Sequence, residues 1–269
     1  MIDIHCHILP NLDDGSKSLK TSIAMAKIAI KDGIKTIVCT PHIYFGVYNN
    51  NTKIIRSAVD HFRQALLKEG LPLELSYGAD THVHPDLVGL LKDKTIPTIN
   101  GGRYFLLEPS HKQFHPFLEK HVLELIHAGY VPIITHPERL FYIEDAYNMF
   151  SRLISHGAWM QITAGSFTGL FGKRARYWAE RFLDEGKVHV IASDAHSVKH
   201  RPPMFVDALN EVTKRIKEEE AMKMVYDRPL ATLMNTKPSK VHPVDFIGDR
   251  NPLILFLKRN FIHWKNYHG

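Results

Sequence analysis

The chain has 269 residues, of which 44% are hydrophobic and 23% charged, with a formal net charge of +6. That length can bury one large core in a single domain, and no apolar run reaches the eighteen or so residues that a membrane span requires. The segment from Pro229 onward carries Lys237, Lys240, Arg250, Lys258, Arg259 and Lys265 against Asp245 and Asp249, so four of the six net charges lie there. The rest of the chain is nearly balanced, which argues against nucleic acid as a partner and leaves an acidic partner or a membrane surface near the tail.

Asp3-Ile-His5-Cys-His7 opens the chain as a short strand, and residues two apart on a strand share a face, so His5 and His7 point the same way and make half of a metal site. Because the amino terminus enters this strand directly, no cleavable signal is expected. Asp13-Asp14-Gly15 follows. Two cysteines, Cys6 and Cys39, supply no disulfide framework and suit a reducing, cytoplasmic compartment.

Beyond this point, apolar helical stretches each stop at a glycine and lead into a strand-like run. Leu19, Ile23, Ala26 and Ile30 end at Gly33 before Lys35–His42, and a helix over about Asn51–Glu69 ends at Gly70 before Leu73–Asp80. A short helix within Pro85–Asp93 precedes the strand Arg103–Glu108. Leu118, Val122, Leu125 and Ile126 close at Gly129 ahead of Val131–His136, and Phe150, Leu153 and Ile154 close at Gly157 ahead of Trp159–Thr163. Ala175, Trp178, Ala179 and Phe182 close at Gly186 ahead of Val188–Asp194, and a last helix is expected over about Met204–Lys217. From Pro229 on, the βα pattern is lost.

Seven strand signals separated by helices imply successive βα units and a mainly parallel sheet. An open doubly wound sheet stays open as an alternative, although no Gly-rich phosphate loop follows the first strand. A closed or distorted barrel better explains why six strands carry a donor at or just past their carboxyl ends: His5 and His7, His42, Asp80, Glu108, His136, then Asp194 and His196. Nitrogen and carboxylate donors without thiolate suit Mn²⁺, Zn²⁺ or Fe²⁺, and their number exceeds what one ion needs, so two or three ions sharing a carboxylate are expected.

The runs DIHCHILPNLDDGSK, TPH, YGAD, LLEP, THPER and IASDAHSVKHRPP resemble the PHP (polymerase and histidinol phosphatase) superfamily. Within it, they are most similar to the bacterial protein-tyrosine phosphatases of capsule and exopolysaccharide operons, the CpsB/YwqE group, over roughly residues 1 to 228. The resemblance implies a distorted (β/α)7 barrel with a C-terminal extension over 229–269, holding three divalent ions, usually manganese. It assigns His5, His7 and Asp194 to the first ion, Glu108 and His136 to the second with Asp80 bridging, and Asp14, His42 and His196 to the third. The group usually has glutamate at position 80; aspartate is one methylene shorter, so either the backbone moves inward or the bridge lengthens.

The chemistry this set supports is hydrolytic phosphoryl transfer, with a metal-bound water as nucleophile. A cysteine phosphatase would need arginine six residues beyond its cysteine, where Leu12 and Phe45 stand instead. Arg139 and Arg201 leave the same face in loops; a guanidinium grips two phosphate oxygens at once, and the resemblance gives both that role. The general acid is open between His42 and a metal-bound water. His82 and His84 are expected as exposed loop residues, with lining of the site's mouth as the alternative, and His111, His115, His121, His127 and His156 as solvent-facing. Tyr44, Phe45 and Tyr48 form either an aromatic wall for a phosphotyrosine ring or packing against the next loop. By resemblance the substrate is the phosphotyrosine tail of a bacterial tyrosine autokinase, whose membrane association the basic tail would meet. Alternatives are hydrolysis of histidinol phosphate or another small phosphoester, and a weakly active kinase-binding module. The apolar clusters Leu253–Leu257 and Phe261–Trp264 are expected to cover the exposed end of the barrel, with a homo-oligomer contact or membrane-surface attachment as alternatives.

Overall fold

The computed structural model describes residues 1–240. In chain order they form β1 (Ile2–Cys6), α1 (Leu19–Lys31), β2 (Thr36–Cys39), β3 (His42–Ile43), α2 (Thr52–Lys68), β4 (Glu74–Tyr77), β5 (Asp80–His82), α3 (Leu87–Lys92), β6 (Tyr104–Glu108), α4 (Leu118–His127), β7 (Val131–Thr135), α5 (Ile143–Ser155), β8 (Trp159–Thr163), α6 (Ala164–Phe167), α7 (Gly172–Asp184), β9 (Val190–Ala192), α8 (Val206–Thr213), α9 (Glu218–Met222) and α10 (Arg228–Leu233). The expected helices are present and their glycine stops hold: Gly33, Gly70, Gly129, Gly157 and Gly186 all take the left-handed conformation that a side chain resists.

Two of the seven expected strands are broken. Lys35–His42 becomes β2 and β3 on either side of Thr40-Pro41, and Leu73–Asp80 becomes β4 and β5 on either side of Gly78-Ala79. Pro41 has no N–H to give a ladder, and Gly78 packs so closely that a Cβ there would sit 3.3–3.4 Å from Val38, Ile99 and Thr40. The pairing is therefore split into a sheet ordered β1-β2-β4 and another ordered β3-β5-β6-β7-β8-β9, with every strand pair parallel. Bonds from Gly78 N to Cys39 O (3.0 Å) and from Asp80 N to Pro41 O (3.2 Å) carry the ladder across the breaks. At the other seam the chain beyond β9 joins β1: Asp194 N donates to His5 O (2.8 Å), His7 N donates to Ala195 O (2.9 Å), and the buried Asp3 carboxylate accepts from the Ser193 amide and hydroxyl. The result is a distorted ring of seven βα units.

Alternation along the strands places two different populations inside that ring. At the amino-terminal ends of the strands the interior is apolar, with Ile2, Ile4, Val38, Tyr104, Leu106, Val131, Ile133, Trp159, Val190 and Ala192 in one buried cluster. Continuing each strand by two residues brings polar groups to the same face: Glu108 after Leu106, Thr135 after Ile133, Gln161 after Trp159, and Asp194 after Ala192. The outer faces pack against the helices in a second cluster, where α7 buries Ala175, Trp178, Ala179, Phe182 and Leu183. Each large apolar side chain removed from water in this way contributes roughly 1.5–3 kcal/mol.

The amino-terminal end of the ring is covered by the last described helix. Leu233 packs against the interior cluster, Tyr104 Oη donates to Thr236 O (2.7 Å), and Arg103 N donates to Asn235 Oδ1 (2.9 Å). The Leu253–Leu257 and Phe261–Trp264 clusters lie outside the described residues. Among the described residues no helix is long and apolar enough to cross a membrane.

Candidate metal centre

Local backbone irregularities aim the donors. The register of β1 against β2 shifts between Asp3 and Cys6, so Ile4 and His5 both reach the interior and the phase of the strand changes in time for His7 to follow His5. His136 and Asp194 stand just past β7 and β9 with φ of 36° and 49°, and the left-handed turn swings each side chain inward. Such backbone costs energy in a residue with a Cβ and persists where the surroundings hold it.

The donor atoms converge. His5 Nε2 and His7 Nε2 are 3.1 Å apart, and Asp194 Oδ1 lies 3.3 Å from the first and 3.4 Å from the second. Asp80 Oδ2 lies 3.4 Å from His5 Nε2, 3.4 Å from His42 Nδ1 and 4.0 Å from His136 Nε2. Glu108 Oε1 is 3.6 Å from His136 Nε2, and Asp14 Oδ1 is 3.4 Å from His42 Nε2 and 3.3 Å from His196 Nε2. All nine expected ligands therefore share one centre, where sets such as His7, Asp14, His42 and His196 offer donor atoms within 4.8 Å of one another. Both nitrogens of His42 already face carboxylates, Asp14 on one side and Asp80 with Glu108 (3.3 Å) on the other, an arrangement that suits a metal ligand.

Outer partners fix the rings. His5 Nδ1 lies 2.9 Å from Gln161 Oε1, His7 Nδ1 2.7 Å from Asp13 Oδ2, and His196 Nδ1 3.0 Å from Asp194 O. With each Nδ1 turned to an outward partner, the three Nε2 atoms face the centre. Asp13 also accepts from Gly15 N and His42 N, tying three segments together. A Cβ on Gly15 would lie 2.3 Å from His7 O, so only glycine fits there.

The electrostatics are those of a centre rich in carboxylates. Burial alone would keep His5 neutral, yet the Asp80 and Asp194 carboxylates push it up to about 9; at His42, burial is likewise outweighed by Glu108 and Asp80, reaching about 10. Burial holds His136 well below its ordinary value and His196 at about 4, while His5 and Arg201 overcome burial to keep Asp194 well below the usual carboxylate range. Asp80 Oδ2 is buried and accepts no hydrogen bond, although three imidazoles surround it. A buried carboxylate oxygen left so is costly, and a divalent ion among these nitrogen and oxygen donors would satisfy it.

A cleft of about 200 Å³ lies over the centre, lined by Asp14, His42, Glu108, His136, Asp194 and His196 and by three further side chains, His111, Arg139 and Arg201. Arg139 Nη1 and Arg201 Nη2 both donate to Asp194 Oδ2. His111 corrects an expectation: it does not face solvent but brings Nε2 to 3.5 Å from Glu108 Oε1, beside the His136 ring. The loop after β6 is turned inward because Phe141 N donates to His111 O and Tyr142 Oη to Ser110 O, contacts between distant segments that no local pattern signals. His82 is likewise not a free loop residue; it sits on β5 with its ring stacked on Tyr44 at 4.0 Å and Nε2 3.8 Å from Glu108. Gln161 and Asp13 were also missed as ring holders, though a glutamine inside the otherwise apolar Trp159–Thr163 strand was a signal.

The family model for capsular polysaccharide synthesis proteins CpsB/CapC matches residues 1–234. The chain belongs to the CpsB/CapC family. It is 36% identical over 219 residues to the tyrosine-protein phosphatase YwqE of Bacillus subtilis, covering 81% of this chain and 86% of YwqE. It is 32% identical over 248 residues to the tyrosine-protein phosphatase CpsB of Streptococcus pneumoniae, covering 87% of this chain and 99% of CpsB. A crystal structure from the pair YwqE and CpsB, described as unique metal-dependent tyrosine phosphatases, superposes with a TM-score of 0.84 at 34% identity, covering 91% of this chain and all of that one. A Listeria monocytogenes lactonase, at 14% identity and a TM-score of 0.55, shares the fold alone. The α/β architecture with parallel sheets is thus that of the CpsB/CapC proteins.

Proposed function

We propose that this CpsB/CapC-family chain is a metal-dependent protein-tyrosine phosphatase of capsule or exopolysaccharide synthesis. Its substrate would be the phosphotyrosine tail of a bacterial tyrosine autokinase, met in the cytoplasm beside the membrane. The observation that carries the reading is the convergence of nine nitrogen and oxygen donors beneath a cleft edged by two arginines. His5, His7 and Asp194 would hold one ion, Glu108 and His136 a second, Asp14, His42 and His196 a third, with Asp80 between the first two, and His111 stands beside the second set. Manganese is the ion we favour. Bound divalent ions supply Lewis acidity, neutralising phosphoryl oxygens and lowering the pKa of water.

The chain's own groups do the rest. Arg139 and Arg201 receive the remaining phosphoryl charge, and the Tyr44–His82 stack stands beside Glu108, one of the residues lining the cleft. A tyrosinate leaving group has a pKa near 10, so departure requires little proton donation. Residues 1–228 are the catalytic unit in this reading, and 229–269 a basic extension that covers the barrel or meets the partner. The test pairs metal analysis with turnover on the parent and His136→Ala. Substoichiometric metal in the parent, or turnover of histidinol phosphate exceeding that of phosphotyrosine peptide, would overturn the reading; His136→Ala should lose metal and about 10²-fold or more of its rate.

A further inference from the structure

Resting on the phosphatase reading above, we propose that Phe171 is a positioning residue that holds Arg139 and Arg201 side by side for the phosphoryl group. Phe171 lies in the loop between α6 and α7, beyond β8, the one strand that offered no predicted ligand. The Arg139 guanidinium carbon is 4.1 Å from the centroid of its ring, and that of Arg201 is 5.6 Å away. Both distances fall within the range over which the negative face of an aromatic ring attracts a cation.

The loop is built to put the ring there. Leu170 N donates to Gly165 O (2.9 Å) and Gly172 N to Gly169 O (2.9 Å), with Gly169 and Gly172 at φ of 82° and 86°. A Cβ on Gly165 would come 3.1 Å from the Phe171 ring and 2.8 Å from Leu170, so the loop folds against bare backbone. Glu138, next to Arg139 in sequence and fully buried, accepts from Thr163 N (3.0 Å) and Ser166 Oγ (2.7 Å), which ties the arginine's own segment to the start of this loop.

An aromatic support solves a problem that the carboxylate alone does not. Two guanidiniums repel each other, and among the described residues the only carboxylate paired with them is Asp194, through Oδ2, whose other oxygen faces His5 and His7. A phosphoryl group must recruit N–H donors from the arginines, and Asp194 already consumes one from each. The ring face holds the cations while consuming no N–H, and Arg201 Nε, buried and without a hydrogen-bond partner, is one donor so preserved.

The experiment compares Phe171→Leu with Phe171→Tyr in the full chain, each also in an Arg139→Ala background. The readouts are inhibition by inorganic phosphate, KM and kcat on a phosphotyrosine peptide, metal content and Tm. Phe171→Leu is expected to weaken phosphate inhibition and raise KM about five- to tenfold with metal content unchanged, and Phe171→Tyr to restore both to within about twofold. In the Arg139→Ala background Phe171→Leu should cost less than about twofold, since much of what it positions is gone. Unchanged phosphate affinity in Phe171→Leu, or an undiminished loss in the Arg139→Ala background, overturns the proposal, as does a loss that tracks metal content or Tm. A parent that binds phosphate without hydrolysing phosphotyrosine overturns the phosphatase reading instead, because the phosphate-affinity comparison still reports on the arginines.

Discussion

Asp80 decides how evenly the centre is shared. Its Oδ2 stands 3.4 Å from His5 and His42 but 4.0 Å from His136, so the shorter side chain leans away from the Glu108–His136 pair. Asp80→Glu should therefore raise occupancy of that second position, read as bound metal per chain at limiting metal concentration; an unchanged or lower ratio would sink the argument. Gly15 is the other residue on which the centre turns. Gly15→Ala forces its methyl into His7 O and Cβ, at 2.3 and 2.5 Å, and should displace the His7 ring enough to lower metal content and cut turnover by about 10²-fold. Full metal content in that variant would show that the loop yields. At this scale the sequence was readable where a donor repeats with strand spacing, as in His5 and His7, and unreadable where position depends on another loop. His111 and Phe171 acquire their places from segments remote in the chain, and no spacing of their own could announce them.

The elements that frame the cleft make separate predictions. The hairpin from Tyr44 to Tyr48 leaves Tyr44 43% exposed while one face of its ring rests on His82, so the other face is available to a substrate ring. Tyr44→Ala should lower the ratio of kcat/KM for aryl over alkyl phosphoesters about five- to tenfold, whereas Tyr44→Phe should preserve it. An equal loss on both substrate types would reduce the hairpin to packing. Just before β9, the half-buried His189 stacks on Trp159, accepts from Met160 N, and has its pKa lowered to about 3 by desolvation and then by Arg228. The unfolded chain binds this proton near pH 6.5 and the folded one only near 3, so stability is lost as pH falls below about 6.5. His189→Gln should shrink the Tm difference between pH 7.5 and pH 5; a variant as acid-sensitive as the parent would refute this. Helices ended where their glycines stood because left-handed backbone is a local demand. The break at Gly78 was not legible, since it depends on Val38, Ile99 and Thr40 packing beside it, whereas Pro41, which lacks an N–H, was a local signal of the other break.

For the molecule as a whole, the seven βα units followed from counting strand signals and the barrel from the donors at their carboxyl ends, while the contacts that close it did not. The Asp3–Ser193 seam joins residues 190 apart, and such contacts between the first and last strands have no local signal in the sequence. The covered amino-terminal end also refines what can be removed. Asn235 and Thr236 bond to Arg103 and Tyr104, so a cut that spares the barrel falls after Lys240. Such a truncation should keep its Tm and its turnover of a small phosphotyrosine substrate while losing rate on the kinase tail; equal loss on both would refute a targeting role for the basic extension. The seam has one more consequence, for biosynthesis. Asp194 is synthesised long after His5 and His7, so a nascent chain that ends between them carries imidazoles that cannot yet enclose an ion. The donor set is completed in one late step.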